Sequence, residues 1–103
     1  MKTDNFNVCI NGHIEYCLNL LEEKSKEYTF GDDRLEHFKN AAAEQDTTPK
    51  KALWGMLSKH LTSLNGMCKN DSDSIELWVE KIGDSINYLL LLRALVAEEL
   101  EHE

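Results

Sequence analysis

The chain has 103 residues, 42% of them apolar, and eleven Lys and Arg against nineteen Asp and Glu give a net charge of −8. That length holds a single domain, residues 1–103, because domains typically take roughly 100–200 residues, and the charge has the wrong sign for gripping duplex nucleic acid or an anionic membrane. One proline, five glycines and a mean hydropathy of −0.47 exclude a collagen-like repeat, a disordered chain and a membrane-embedded one.

Apolar residues recur at steps of three and four along the whole sequence, without the sustained alternation of strands, which predicts an all-α fold of four helices. The first runs from about Asn7 to Tyr28, with Ile10, Ile14, Cys17 or Leu18, and Leu21 as its stripe. The second follows the break at Phe30, Gly31 and Asp32, is capped by Asp32 or Asp33, shows Leu35, Phe38 and Ala42 on one side, and ends near Gln45. The third has the clearest start: Thr48 can accept from unpaired backbone N–H groups, and Pro49 takes the position that needs no donor. It carries Leu53, Met56 or Leu57, His60 or Leu61, and Leu64, and stops around Gly66 and the polar residues 69–72. The fourth opens on Asp73 with Glu76 as a capping box and reaches about Leu100, with Ile75, Val79, Ile82, Ile86, Leu89 and Val96 as its stripe.

That last helix is apolar nearly all round between Ile86 and Ala97, broken by Asn87, Tyr88 and Arg93. Such a helix is buried on more than one side. A chain this small buries only about 60–65% of its unfolded surface, so the expectation is a long, largely buried C-terminal helix that packs into its own bundle and into a neighbouring subunit of a homo-oligomer. Glu98, Glu99, Glu101 and Glu103 sit against the helix dipole and are expected to fray.

Cys9, Cys17 and Cys68 form an odd set without a CxxC pair, which predicts buried core thiols rather than disulfides or zinc. The polar first thirteen residues do not make a secretory signal, and the longest apolar run, Tyr88 to Leu92, is too short for a membrane span. A reducing cytoplasm is the expected setting.

Two stretches could carry chemistry. Glu80, Asp84 and Asn87 share one stripe of the fourth helix, with Tyr88 beside it. Two carboxylates a turn apart suit Mg²⁺; equally, they suit a buried network with Lys59, Lys81 or Arg93. Lys59 and His60 are adjacent on the third helix and so point about 100° apart, which allows one to face the core and the other a pocket. The other stretch interleaves charge and rings: Lys24, Lys26, Tyr28, Phe30, Asp32, Asp33, Arg34, His37, Phe38 and Lys39. Residues 24–59 hold seven Lys or Arg and six Asp or Glu, a net of +1, against four and thirteen elsewhere, a net of −9. A phosphate-bearing ligand would choose this middle, where Arg offers a planar fork and aromatic rings offer stacking. No glycine-rich phosphate loop, nucleophile elbow or Cys/His pair at a nucleophile-like spacing occurs, so covalent hydrolysis has no support.

The ordered segments Tyr28 to Arg34, Phe38-Lys39 with Ala41 to Ala43, Thr48-Pro49 through Ala52 to Gly55, Lys59-His60 with Ser63, and Glu80 to Ile82 with Asp84 and Asn87 to Leu89 resemble small bacteriophage and prophage proteins of the nucleotide-modification-associated phage domain. More distantly they are similar to the all-α nucleoside triphosphate pyrophosphohydrolases of the MazG type. Those enzymes carry EExxE and ExxD motifs for Mg²⁺. Here Glu22-Glu23 is followed by Lys24, Ser25 and Lys26, and Glu80 and Asp84 stand four apart instead of three. The resemblance, with the analogy of helical phage proteins that sequester the nucleotide signals of bacterial defence, implies a cytoplasmic protein of an infected or lysogenic host. Its expected role is to hold a phosphorylated nucleotide without catalysis or cofactor, in a pocket partly built between subunits. The expected ligand residues are Tyr28, Phe30, Arg34, Lys59, His60, Asn87 and Tyr88. The alternative is Mg²⁺-dependent pyrophosphohydrolysis, with Glu80 and Asp84 as metal ligands.

Overall fold

The computed structural model describes residues 1–28, 31–70 and 73–101, without the side chains of 25–28. Among these residues the chain is all-helical: α1 spans Thr3–Tyr28, α2 Glu36–Glu44, α3 Pro49–Cys68 and α4 Ile75–Glu101. No described helix is long and apolar enough to cross a membrane.

Local chemistry sets the boundaries. Thr48 Oγ1 accepts from Lys51 N at 3.3 Å with Pro49 in the first turn, as its sequence signature predicts. The cap of α4 falls one residue later than Asp73: Ser74 Oγ accepts from Leu77 N at 3.2 Å, its carbonyl accepts from Trp78 N, and the helix starts at Ile75. α2 starts later than expected and has no side-chain cap of its own; Asp33 Oδ1 instead takes Leu35 N–H at 3.0 Å, folding the turn ahead of the helix. At its other end Asp46 adopts a left-handed φ of 51°, and the amides of Asp46 and Thr47 turn back to the carbonyls of Ala43 and Ala42. This is a Schellman closure, with Asp in the place usually held by Gly.

The core lies among α2, α3 and α4. Leu35, Phe38, Leu53 and Leu95 are buried together, with Met56, Tyr88, Leu91 and Leu92 packed around them. Each fully buried Leu or Phe contributes about 1.5–3 kcal/mol. α1 packs chiefly against α4 through Cys17, and most of its length is exposed. The outline is accordingly long, 46 × 27 × 26 Å, with a radius of gyration of 15.7 Å where a compact chain of this size has about 13 Å.

Several expectations change. Cys17 is buried, but Cys9 and Cys68 are exposed, because each lies on a helix face that nothing in the chain covers. Ile10, Ile14 and Leu18 of the predicted α1 stripe are exposed. In the single chain α4 is covered by α1 at Gly83 and Asn87 and by the core of α2 and α3 at Leu95, while Ile75, Ile82, Leu89, Leu90 and Leu100 remain exposed. Glu98 and Glu99 are not frayed but paired, with Lys39 at 2.6 Å and Lys50 at 2.7 Å, since the N-terminal ends of α2 and α3 bring lysines beside them. Glu103 lies outside the described residues.

Lys39 ties three segments together, donating to Asp33 Oδ2 and Glu98 Oε1 at 2.6 Å each. The Lys39 hydrogen bond, and then Leu35 N–H, hold the Asp33 carboxyl below its ordinary value, while the two acids raise Lys39. A carboxyl with a lowered folded pKa stabilises at neutral pH and loses that contribution as pH falls through the folded value. Lys39→Met is therefore expected to lower stability at pH 7 by up to about 1 kcal/mol, the groups being partly exposed. Acid titration followed by circular dichroism should show the parent and variant stabilities converging once Asp33 is protonated in both.

Candidate functional site

The site begins where α1 meets α4. Gly83 has no side chain, and a Cβ there would lie 2.8 Å from Tyr16 Cε1 and 3.4 Å from His13 Nε2. The close approach lets the buried Cys17 thiol point to the Gly83 carbonyl at 3.9 Å and lets Asn87 Nδ2 donate to the Cys17 carbonyl at 3.1 Å. Burial, and then the charge of Asp84, push the Cys17 thiol up, so it is held protonated and is no nucleophile. Burial followed by Asp84 and Glu80 likewise raises the Tyr16 hydroxyl.

One turn along, the same seam opens into a cavity of about 220 Å³ lined by Leu21, Lys24, Arg34, His37, Phe38, Asp84, Asn87, Tyr88 and Leu91. Arg34, in the turn before α2, is fixed by a hydrogen bond from Nη2 to the Leu21 carbonyl of α1 at 3.3 Å. Lys24 reaches from α1 toward Asp84, Nζ to Oδ1 3.8 Å, and from α3 His60 Nδ1 approaches Asp84 Oδ2 to 3.9 Å. Both separations exceed a hydrogen bond. Rings form one side: Tyr88 stands 5.2 Å from His60 and 6.4 Å from Phe38 between centroids, the second pair edge to face.

Two polar atoms at this site, Asn87 Oδ1 and His60 Nδ1, are buried without a hydrogen-bond partner. Asn87 is only 6% exposed, and its amide orientation is set by the Cys17 carbonyl, which requires the donor end. Most buried polar atoms in native proteins are satisfied. A pair left open beside a cavity therefore matches a pocket that receives hydrogen-bonding groups from outside the chain.

Of the sequence-predicted ligand residues, Arg34, Asn87 and Tyr88 line the cavity, and His60 stands behind Tyr88 and Asp84. The side chain of Tyr28, and Phe30 altogether, lie outside the described residues. Lys59 is exposed on α3 and does not line the cavity, because its neighbour His60 takes the inward direction of that turn. Asp84 is a lining residue, whereas Glu80 is exposed. Among the described residues no three His, Cys, Asp or Glu side chains come together as a metal site. Lys24, His37 and Phe38 belong to the charged and aromatic stretch of the sequence, yet nothing in their spacing selects them from its other members. Leu21 and Leu91 carry no signal beyond packing.

No protein-family model, curated protein or solved structure matches the chain.

The seam can be tested at its tightest point. On an unpacked helix face, replacing Gly with Leu adds stability, up to nearly 1 kcal/mol of helix propensity. At position 83 the new side chain must displace Tyr16 and push α1 away, so Gly83→Leu is expected to lower stability by about 1–3 kcal/mol. A thermal melt that moves downward confirms the close approach; an upward shift refutes it.

Proposed function

We infer that the chain is a small phage-type cytoplasmic protein that binds and sequesters a phosphorylated nucleotide, working as a homo-oligomer and leaving its ligand chemically unchanged. A signal of bacterial defence is the class of ligand that such a role fits. The observation that carries the reading is the convergence, on one cavity, of two cations, an aromatic side and an unpartnered buried acceptor: Lys24 and Arg34, Phe38 and Tyr88, and Asn87 Oδ1.

Each part answers to a part of a nucleotide. Lys24 and Arg34 suit phosphate, a point charge beside a planar fork. The Tyr88 and Phe38 rings offer a base an apolar surface, and the Asn87 oxygen and Asp84 carboxylate offer acceptors to exocyclic amino or ring N–H groups. At about 220 Å³ the cavity is smaller than the roughly 300–1,000 Å³ of sites that enclose drug-sized ligands, which favours taking in one ring system with its phosphate toward the rim.

Capture is favoured over cleavage by the acid content of the pocket. Phosphoanhydride hydrolysis through Mg²⁺ uses carboxylates to hold the ion and to orient water. Among the described residues Asp84 is the one carboxylate that lines the cavity, and its two oxygens face Lys24 and His60 of the chain itself.

The direct test is to release small molecules from the purified protein by heating and identify them by mass, then titrate the released nucleotide back by calorimetry. Arg34→Ala and Lys24→Ala are each expected to weaken binding by about 1.5–3 kcal/mol, on the order of 10- to 150-fold. Lys59→Ala should leave affinity unchanged. Binding is expected to survive EDTA, with the ligand recovered intact after incubation with Mg²⁺. Recovery of cleaved ligand over many turnovers, abolished in Asp84→Asn, would establish the hydrolase instead.

A further inference from the structure

The outward side of α4 carries a second pattern, separate from the cavity. Ile75, Val79, Ile82, Ile86, Leu89, Arg93, Val96 and Leu100 follow one another at steps of four and three over nearly the full helix. This is the a/d spacing of a coiled-coil seam, with seven of eight positions apolar and Arg93 as the exception. It is not the face that the chain's own core uses. Ile75 is 68% exposed, Ile82 36%, Leu89 50% and Leu100 60%, whereas Tyr88, Leu91, Leu92 and Leu95 pack inward.

The surface area points the same way. The chain exposes 7539 Å², while a folded monomer of 11.8 kDa exposes roughly 5,900 Å². The surplus of roughly 1,600 Å² exceeds the ~800 Å² that each partner contributes to a standard interface.

We propose that the α4 seam is covered by the α4 seam of a second copy of this chain, running antiparallel. Charge selects the direction. In a parallel pair the two Arg93 side chains would meet in one layer, and the acidic ends with Glu98, Glu99 and Glu101 would lie together. Antiparallel pairing about the middle of the stripe, between Ile86 and Leu89, separates both sets. It sets each acidic C-terminal turn near a helix N-terminus, where the dipole favours negative charge. The seam lies on the order of 160° around α4 from Asp84 and Leu91, so the cavities open away from the interface. This inference extends the oligomeric part of the proposed function and is independent of what the cavity binds.

The test is light scattering on the full chain at tens of micromolar, with Ile86→Glu and Leu89→Glu as variants. The parent is expected at twice the 11.8 kDa chain mass and both variants at the chain mass, with the helical circular dichroism retained. Leu89 is half exposed in the chain, so its variant reports on the interface even if Ile86→Glu fails to fold. Direction is read by spin labels on Glu101→Cys with Cys9 and Cys68 replaced by Ser. Two 27-residue helices pairing about their middle put the labels roughly 40 Å apart when antiparallel and side by side when parallel. A monomeric parent, a dimer that survives both glutamates because another face such as that of α1 holds it, or labels in contact would each overturn the proposal. Loss of ligand binding with the dimer intact would count against the cavity reading alone.

Discussion

At Gly83 the backbone of α4 admits the Tyr16 ring of α1 to a distance that no residue with a Cβ could tolerate without displacing it. The cavity side of the molecule follows from that approach. It brings the Cys17 carbonyl within reach of Asn87, and by orienting that amide it leaves an oxygen buried with no partner. It also carries Leu21 and Lys24 to the mouth of the cavity, where Arg34 grips the Leu21 carbonyl from the adjoining turn. Were the helices held apart by even one methyl group, the α1 wall of the cavity would shift as a unit.

The polar groups around this seam are arranged in a way that a purely structural network would not favour. Asp84 has a lysine and a histidine close to its oxygens, yet neither closes to a hydrogen bond, and His60 Nδ1 remains without an acceptor. Buried ionic groups are costly unless their geometry is good. A fold selected only for stability would draw Lys24 onto Asp84 or replace the cluster with apolar side chains. The contrast with Lys39 is informative: there a lysine between two acids closes to 2.6 Å on both sides and ties α2 to α4.

The sequence shows the elements more clearly than the directions in which they face. Thr48 and Pro49 announce α3 because capping is local chemistry, and Leu35, Phe38 and Ala42 announce the inward face of α2 because that helix has a single apolar stripe. α4 has two. Its seven-residue seam is the more regular, while the set that enters the core, Leu91, Leu92 and Leu95, is interrupted toward the N-terminus by Lys81, Asp84 and Tyr88. Periodicity reveals both stripes without ranking them, and the ranking comes from α2 and α3, which are distant in sequence. The site is legible to the same extent. Arg34, Asp84, Asn87 and Tyr88 stand out as polar or aromatic residues in apolar or turn surroundings. Lys24 is one of several lysines, and only its register opposite Asp84 distinguishes it.

The connectivity of α1 bears on how the chain reaches this structure. Its hydrogen bond from Asn87 spans 70 positions of sequence, and its packing is chiefly with α4. α1 is therefore made before the helix it packs on, and the Cys17 side chain has no cover until α4 follows. The core of α2 and α3 waits on the same helix, so α4 completes both halves of the structure, and until it emerges the nascent chain carries the 26 residues of α1 without their packing partner.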